Sequence, residues 1–543
     1  MNVHTKVPSA VLQEALPTFR RQLGPNELSY FLPSRAYGLN DMFTRIVFRA
    51  PPELVAPFRV QIAWAIVLLR HTLLASRAHM KPGDYQNAEF LYTPPSSTQA
   101  ALESAGRSLH FHDGLPPNAL LDRLLNGGRM LPPSSQAISR LDIARIARPA
   151  RADGTHEYQL IFHTPHMISD ALVTHRCINS IFELVGGERT DAELLRALDN
   201  EWSKRWARGR RAAENVLVPS AETRVGGFPS KLYEAGWKIV QKNLDSAAAG
   251  GQVFPRMPNK KTKDIRLLRI KFPQDQTAAI FARCKAQRVT FGNAVFALCN
   301  IAWMRLCAAR PELAAANSPP TLMYTAISLR GALPGLPIAR EGDDAPDLSL
   351  ALGYHTVSLP VLKTTTTETA LFWHRARSAQ HQLRSYTHKP HLLRGRTLAT
   401  ALKRAATATA FAALDDGLPN AQPPSLGGPP ALLGVSHSGD MGSTFRAARY
   451  PRIELLDCVG GSRKGPGGML MSSRTFGGRL SVWLTWDASV RPEGVVEEYM
   501  RIWADAMHEL VLGDKRLVGS AQEEDLVRGV RMGRKMERVQ SRL

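Results

Sequence analysis

The sequence predicts an α/β fold, in the α+β sense, with two lobes of similar size, each a mixed sheet with flanking helices. Three observations lead to this prediction. A chain of 543 residues is too long for one ordinary core. Segments with strand and helix character alternate along it. The second half, from residue 265, repeats the style of the first, whereas residues 190–264 between the halves are polar and rich in Gly and Arg.

In the first half, strand character over residues 43–48 precedes a Pro-Pro pair. Apolar residues then recur at helical spacing and predict one long helix over residues 53–76. The apolar run at 157–163 predicts a strand. A helix follows over 169–185, and we expect the Gly-Gly pair at 186–187 to end it.

The second half begins after two amphipathic stretches in the connecting region, at residues 194–206 and 232–244. The pattern assigns residues 1–189 to an N-terminal lobe, 190–264 to a crossover linker, 265–520 to a C-terminal lobe and 521–543 to a basic tail. The predicted elements of the C-terminal lobe are strands at 265–272, 322–329, 431–436 and 479–486, and helices at 275–287, 294–308 and 494–512.

Composition excludes several classes of protein. An apolar fraction of 44% and a charged fraction of 21% are typical of a soluble globular chain. The net charge of +22 invites a nucleic-acid partner, but the arginines are spread along the whole chain, so none is predicted. No run approaches the roughly 18 apolar residues of a membrane span. Five scattered cysteines without a CxxC pair indicate free thiols in a reducing compartment.

The most informative segment is residues 160–171, where a strand ends and a helix begins. His166 stands at this junction and Asp170 follows four residues later, in the only H-x-x-x-D of the chain. With no Ser or Cys nucleophile beside it, such a histidine suits direct deprotonation of a substrate hydroxyl. The structural alternative is a core histidine at a strand end, with Asp170 stabilised by the helix dipole and Ser169 as the N-cap.

Two other uses of nearby residues are possible. His163 competes for the role of base, but it lies inside the predicted strand, so we expect it in the wall of the substrate site. A metal site would join His163, His166, Asp170 and His175. Catalytic zinc needs three ligands that converge, and a strand, a turn and a helix present these side chains in different directions, so no metal is predicted.

A rival chemistry comes from residues 434–439. This segment, GVSHSG, is one residue too long for the G-x-S-x-G nucleophile elbow, but it makes a serine hydrolase with Ser436 as nucleophile an alternative. Otherwise Ser436 or Ser438 is expected near the substrates. A polar turn after a strand is the structural explanation.

The chain resembles the coenzyme A-dependent acyltransferase superfamily with the HxxxD motif, which includes chloramphenicol acetyltransferases, condensation domains, plant BAHD transferases and fungal alcohol acyltransferases. The usual HHxxxDG appears as PHMISDA, so Pro165 and Ala171 replace the first His and the Gly. The plant DFGWG box is absent, which disfavours the plant branch. Further similar segments are LLRHTLLA at 68–75, SLR at 328–330 followed by Gly353, and VSHSGD at 435–440.

The resemblance implies two chloramphenicol-acetyltransferase-like lobes with an active-site tunnel between them. Acyl-CoA is then a co-substrate, with no permanently bound cofactor, and His166 is the general base for an acceptor alcohol. Asp170 orients the catalytic loop by pairing with an Arg that the sequence does not identify. Ser436 or Ser438 donates to the oxyanion, and His163 contributes to substrate binding.

The last three residues, Ser541, Arg542 and Leu543, are similar to the peroxisomal address S-K-L. They predict import by the peroxisomal receptor. With the HxxxD resemblance, this tail makes the chain most similar to the fungal mannosylerythritol lipid acyltransferases, which implies transfer of fatty acyl groups to sugar hydroxyls of a glycolipid by a monomer. The alternatives are a condensation-type enzyme using a carrier-protein thioester, and the Ser436 hydrolase.

Overall fold

The structure is a computed structural model. It describes residues 17–131, 137–207, 216–247, 250–258, 263–314, 318–338, 348–361, 368–419, 421–422, 431–465 and 467–513. The predicted basic tail at 521–543, with Ser541, Arg542 and Leu543, lies outside the described residues.

The described chain contains strands that form one small and two large sheets. In chain order they are β1 Phe19–Gln22, β2 Asp41–Ala50, β3 Arg77–His79, β4 Glu89–Tyr92, β5 Leu109–Leu115, β6 Arg140–Ile146, β7 His156–Pro165, β8 Ile265–Lys271, β9 Thr321–Ser328, β10 Leu352–Leu359, β11 Leu433–Asp440, β12 Glu454–Ser462, β13 Met469–Phe476 and β14 Arg479–Asp487.

Helices cover the sheets. The α-helices of the described chain are α1 Pro25–Ser34, α2 Pro57–Arg70, α3 Thr98–Arg107, α4 Ala119–Asn126, α5 Ala171–Gly186, α6 Asp191–Trp202, α7 Ala221–Arg224, α8 Lys231–Ala247, α9 Gln274–Ala286, α10 Phe291–Ala309, α11 Glu368–Thr387, α12 Pro390–Asp415 and α13 Val495–Ala506.

Each lobe is built on a mixed sheet, which confirms the predicted fold class. The N-terminal sheet has the order β12-β2-β7-β6-β5, with antiparallel pairs except for parallel β5 and β6. The C-terminal sheet has the order β10-β9-β11-β13-β14-β8, in which β11 runs parallel to both β9 and β13. A small sheet, β1-β4-β3, borders the first lobe.

The C-terminal half of the chain contributes two elements to the first lobe. Strand β12 pairs with β2 along nearly its whole length. Helix α12 packs on α1, and its Ala405, Ala408 and Ala412 join the apolar core of the N-terminal lobe. The lobes are therefore interlocked. A division of the sequence at residue 265 would assign β12 and α12 to the C-terminal lobe alone.

The helix predicted over residues 53–76 is interrupted. It consists of a 3₁₀ turn at Pro52–Val55, then α2, then a second 3₁₀ turn at Thr72–Ala75. The first break has a local cause, because the ring of Pro57 disfavours helical backbone at the preceding residue, and Ala56 has ψ of 135°. Strand β10, strands β12 and β13, and the long helices α11 and α12 were not predicted.

Helix α10 forms the centre of the second core. It has the length and hydropathy of a membrane-spanning helix, but 78% of its most apolar window is buried inside the lobe. Trp303 at its middle is fully buried and packs on Phe254, with ring centroids 4.7 Å apart.

Trp483 on β14 joins the two sheets. Its indole Nε1 donates a hydrogen bond of 3.0 Å to the carbonyl oxygen of Gly460 on the exchanged strand β12. The guanidinium groups of Arg474 and Arg269 lie 4.9 and 5.9 Å from its ring centroid. Only 1% of Trp483 is exposed, so its indole shields the Gly460 carbonyl from water.

We predict that Trp483→Phe destabilises the protein more than Trp486→Phe, which removes an equally buried indole from the same strand. The excess is about 1–3 kcal/mol, since a buried carbonyl loses its donor. Urea unfolding followed by tryptophan fluorescence measures both. Equal losses would show that the bond from β14 to β12 contributes nothing beyond packing.

Candidate functional site

The loop between β7 and α5 holds the H-x-x-x-D segment in a tight turn. The amide of Ile168 donates to the carbonyl of Pro165 at 3.2 Å, and the hydroxyls of Thr164 and Ser169 lie 2.8 Å apart. Ile168 and Ser169 are fully buried. These hydrogen bonds and the two buried side chains fix the backbone of the turn that carries His166.

The His166 ring is oriented by its own loop. Its Nδ1 lies 3.0 Å from the carbonyl oxygen of Ser169. A carbonyl only accepts hydrogen bonds, so Nδ1 carries the proton in the neutral ring and Nε2 presents a lone pair. The side chain remains partly accessible. Nε2 is therefore the atom that can accept a proton from a bound molecule.

A stack of aromatic rings and a guanidinium supports the histidine. The ring of Tyr30 lies on His166, with centroids 4.3 Å apart and planes inclined by 21°. The Tyr30 hydroxyl is 2.7 Å from that of Tyr354. The guanidinium of Arg404 lies 4.8 and 4.3 Å from the centroids of these two tyrosines, and its Nε donates to Ser29 Oγ at 3.3 Å.

These surroundings decide the charge of His166. Burial lowers its pKa to about 4, and the positive charge of Arg404 acts in the same direction. The carboxylate of Asp170 and the backbone carbonyl of Ser169 oppose the shift. The ring is therefore neutral at physiological pH, which is the state required of a base.

Asp170 connects the loop to the second half of the chain. It is the N-cap of α5, where its side chain accepts from the Val173 amide at 3.4 Å. The same carboxylate forms an ion pair with Arg330, just after β9, and accepts from the amide of Ala351 at 3.4 Å. Arg330 also donates to the carbonyl of Ser349 at 2.6 Å. The N-cap is thus Asp170, not Ser169, and Arg330 is the partner that the sequence left unidentified.

His163 belongs to a different polar group. Its Nε2 lies 3.0 Å from Asp142 on β6, and both side chains are buried. Asp142 also accepts from Arg140 and His112, each at 2.7 Å, and these partners hold the pKa of its carboxyl far below the usual range despite its burial. Within the described part of the chain, no hydrogen bond or ring contact joins this group to His166.

Ser436 and Ser438 lie on β11, which extends to Asp440 with an irregularity in its pairing with β13 between His437 and Asp440, where Gly439 has φ of 73°; a turn and not a helix follows the strand. A nucleophile elbow requires a sharp turn between strand and helix, and the strand provides none. His437 points to the other face, where its Nδ1 is 2.9 Å from Ser473 Oγ. Ser436 therefore lacks a neighbouring base in the strand, and the geometry does not favour the hydrolase alternative.

The two serines border a separation between strands. β11 pairs with β9 only as far as Val435, opposite Thr325, so Ser436 is the first residue beyond the paired region. β9 continues toward Arg330 and hence toward Asp170. The strands therefore separate at the carboxyl-terminal end of β9, which is the end that contacts the His166 loop through Arg330 and Asp170.

Tyr324 lies on β9 next to this separation. Burial raises the pKa of its hydroxyl to about 12, and 43% of the residue surface is accessible. Tyr30 and Arg404 are near enough to influence the same pKa. A Cβ at Gly434 would lie 2.4 Å from the Tyr324 ring, so glycine is required there for the ring to cover the strand beside Ser436.

Sequence reasoning missed the supporting residues of the site. Tyr30, Tyr354 and Arg404 are all more than 130 residues from His166 in the sequence, and none of them belongs to a recognisable motif in its own segment. Arg330 was noted within a family-like segment but without a role. No group of three His, Cys, Asp or Glu side chains suited to a metal ion occurs among the described residues.

Ala171 occupies the place of the usual glycine. It is the first residue of α5, where the backbone is helical and a side chain fits without strain. Pro165 occupies the place of the usual first histidine and ends β7 opposite Asp41.

Comparison with known proteins identifies structural relatives only. No family model matches the sequence, and no curated protein matches it. A trichothecene 15-O-acetyltransferase from Fusarium sporotrichioides superimposes with a TM-score of 0.66 at 14% identity, covering 91% of this chain and 95% of that one. The first condensation domain of the calcium-dependent antibiotic synthetase has a TM-score of 0.56 at 11% identity, with coverages of 93% and 99%.

The condensation domain of the Monacolin K polyketide synthase has a TM-score of 0.55 at 11% identity, covering 92% of this chain and 99% of that one. At these identities the likeness shows the fold. The chain therefore has the two-lobed fold found in acyltransferases and condensation domains, over nearly its whole length.

We predict that Asp170→Ala lowers the free energy of unfolding by about 3–5 kcal/mol, because it leaves the buried Arg330 charge without its partner. Adding Arg330→Met removes that charge, so the double variant loses less than the sum of the two single changes. Thermal and urea unfolding of the four proteins gives the coupling energy. Strict additivity would mean that the ion pair does not stabilise the loop.

Proposed function

We propose that the protein is an O-acyltransferase in which His166 is the general base. The observation that supports this most strongly is the state of its ring. Nδ1 is directed at the Ser169 carbonyl, Nε2 is unprotonated, and burial lowers the pKa of the ring to about 4. A neutral imidazole with one free nitrogen, without a nucleophile beside it, suits proton abstraction from an acceptor hydroxyl.

The reaction then proceeds in two stages. Nε2 of His166 takes the proton of the acceptor hydroxyl while its oxygen bonds to the thioester carbonyl, which gives a tetrahedral oxyanion. The C–S bond then breaks, and the thiolate leaves with the proton returned by the imidazolium. Proton transfer to a correctly positioned base accelerates such reactions roughly 10²–10⁴-fold. Because the resting ring is neutral, no prior deprotonation is needed.

The other residues position these groups. The ion pair of Asp170 with Arg330 ties the loop to the end of β9, so His166 is held in position relative to that strand. Ser436 and Ser438, where β11 leaves β9, are the proposed hydroxyl donors to the oxyanion. Tyr30 packs on the imidazole and limits its rotation.

For the donor and the acceptor we propose acyl-CoA and a sugar hydroxyl of a glycolipid, in the synthesis of mannosylerythritol lipid. The support is the resemblance of the HxxxD segment to the acyltransferase superfamily, taken together with the tail at residues 541–543. The fold shared with condensation domains favours one other donor, a thioester on a carrier protein. Both donors deliver an acyl thioester to the same histidine, so only the donor assay separates them.

The proposed compartment is the peroxisome, where chain-shortened acyl-CoA is made. It rests on the tail Ser541-Arg542-Leu543. We predict that a fluorescent protein fused ahead of the full chain enters peroxisomes of a fungal host, and that removal of these three residues leaves it in the cytosol. An unchanged distribution after removal would rule out the tail as the address.

The test of the activity is release of free thiol from acyl-CoA by the purified protein with mannosyl-erythritol, with mass analysis of the product. We predict that His166→Ala lowers the rate by about 10²–10⁴-fold, since the base is lost. His374→Ala, a change at an exposed histidine on α11, serves as the matched control and retains full activity.

Activity of His166→Ala within about tenfold of the unaltered protein would contradict the assignment of the base. If the unaltered protein releases thiol only from a phosphopantetheinyl carrier, the donor is the carrier thioester and the role of His166 is unaffected. Absence of turnover with both donors and a range of sugar and polyol acceptors would contradict the proposed function.

A further inference from the structure

Helix α8 in the crossover region is attached to the protein by Trp237, which packs on Gly395 of α12, and by polar side chains. The residues that are partly buried recur at helical spacing: Glu234, Trp237, Gln241 and Asp245. Gln241 accepts from Thr400 on α12 at 3.1 Å, and Asp245 pairs with Lys403 at 2.6 Å. No residue of α8 for which burial is described is fully buried.

The apolar residues of α8 face outward. Leu232 exposes 83% of its surface and Ile239 exposes 62%, and Val240, Tyr233 and Leu244 expose 42%, 39% and 36%. At 100° per residue these five side chains fall within one arc of about 140°, which is bordered by the half-buried Trp237, and Gln241 and Asp245 lie beyond Trp237 on the side that contacts α12. A helix of a globular protein normally buries such a side, and α8 has the reverse arrangement.

The charges beside this apolar side are positive. Lys231 and Lys242 are exposed, flank the apolar side beyond Ile239, and have no carboxylate within 4.0 Å among the described residues; Lys242 also borders a cavity between α8 and α12. The acidic residues of α8 point toward the body of the protein, where Glu234 pairs with Lys238 at 2.7 Å. The outward surface of α8 is therefore apolar, with the positive charges of Lys231 and Lys242 along one flank.

We propose that α8 docks the protein on an anionic lipid surface, with the side chains of Leu232, Ile239 and Val240 in the headgroup region. Amphipathic helices with an apolar face and lysines bind membranes in this way. A second copy of the chain is a poorer occupant. Pairing of two α8 helices would bring their lysines together, on molecules that each carry a net charge of +22.

The inference is independent of the proposed function, because it needs no turnover. The test is flotation of the full-length protein with vesicles of phosphatidylcholine alone or mixed with phosphatidylserine. We expect binding to the mixed vesicles, weakened about tenfold or more in Leu232→Gln/Ile239→Gln. Lys231→Gln/Lys242→Gln should weaken binding several-fold at low salt on the anionic vesicles.

The matched control is Tyr37→Gln/Phe58→Gln, which also removes two exposed apolar side chains, 75% and 49% accessible, from elsewhere on the surface. It should bind as the unaltered protein does. Equal binding by all three double variants would overturn the proposal, since the general positive charge would then account for it. A dimer in sedimentation that dissociates in Leu232→Gln/Ile239→Gln, without vesicle binding by the unaltered protein, would overturn it in favour of self-association.

Discussion

The ion pair between Asp170 and Arg330 determines how the two halves of this protein form one site. Asp170 caps the helix that follows the His166 loop, and Arg330 leaves the end of β9 in the second sheet. Burial removes both charges from water, so each depends on the other for compensation. The pair therefore fixes the loop of one lobe against the strand end of the other, and His166 lies at that junction.

The state of His166 follows from the same junction. Burial disfavours its charged form, Arg404 adds an unfavourable charge behind Tyr30, and the loop carbonyl of Ser169 selects the tautomer. The proximity of Asp170 opposes the shift, but the carboxylate is directed to Arg330. The ring is thus kept neutral without a carboxylate partner of its own, unlike the histidine of a Ser-His-Asp triad.

Much of the fold was predictable because strand and helix patterns alternate clearly around each lobe. The junction at His166 was also predictable, since an apolar strand, a lone H-x-x-x-D and a helix start are local signals. The exchange of β12 into the first sheet could not be predicted, because the pairing of strands far apart in the chain produces no periodic pattern in the sequence. The interruption at Pro57 is a local signal that the helical spacing on both sides concealed.

The site was predicted in part. His166 and Asp170 stand at the junction, and Ser436 lies beside the separation of β9 and β11. The assignment of His163 to the substrate wall stays a prediction, and the structure shows that its side chain contacts Asp142. A strand-end pattern cannot reveal such a partner on the neighbouring strand. Tyr30, Tyr354 and Arg404 could not be found from one sequence, because only the packing of α1 and α12 brings them to the histidine.

The most direct test of this account is the titration of His166 by NMR of histidine-labelled protein, with His166→Gln to assign its signals. The account predicts a neutral ring at pH 7 with the proton on Nδ1, protonated only as the pH falls to about 4. The unfolded chain binds a proton at His166 more readily than the folded protein does. The free energy of unfolding therefore decreases as the pH is lowered from the unfolded pKa of about 6.5 to the folded pKa of about 4. A midpoint near 6.5, or a proton on Nε2 in the neutral ring, would contradict it.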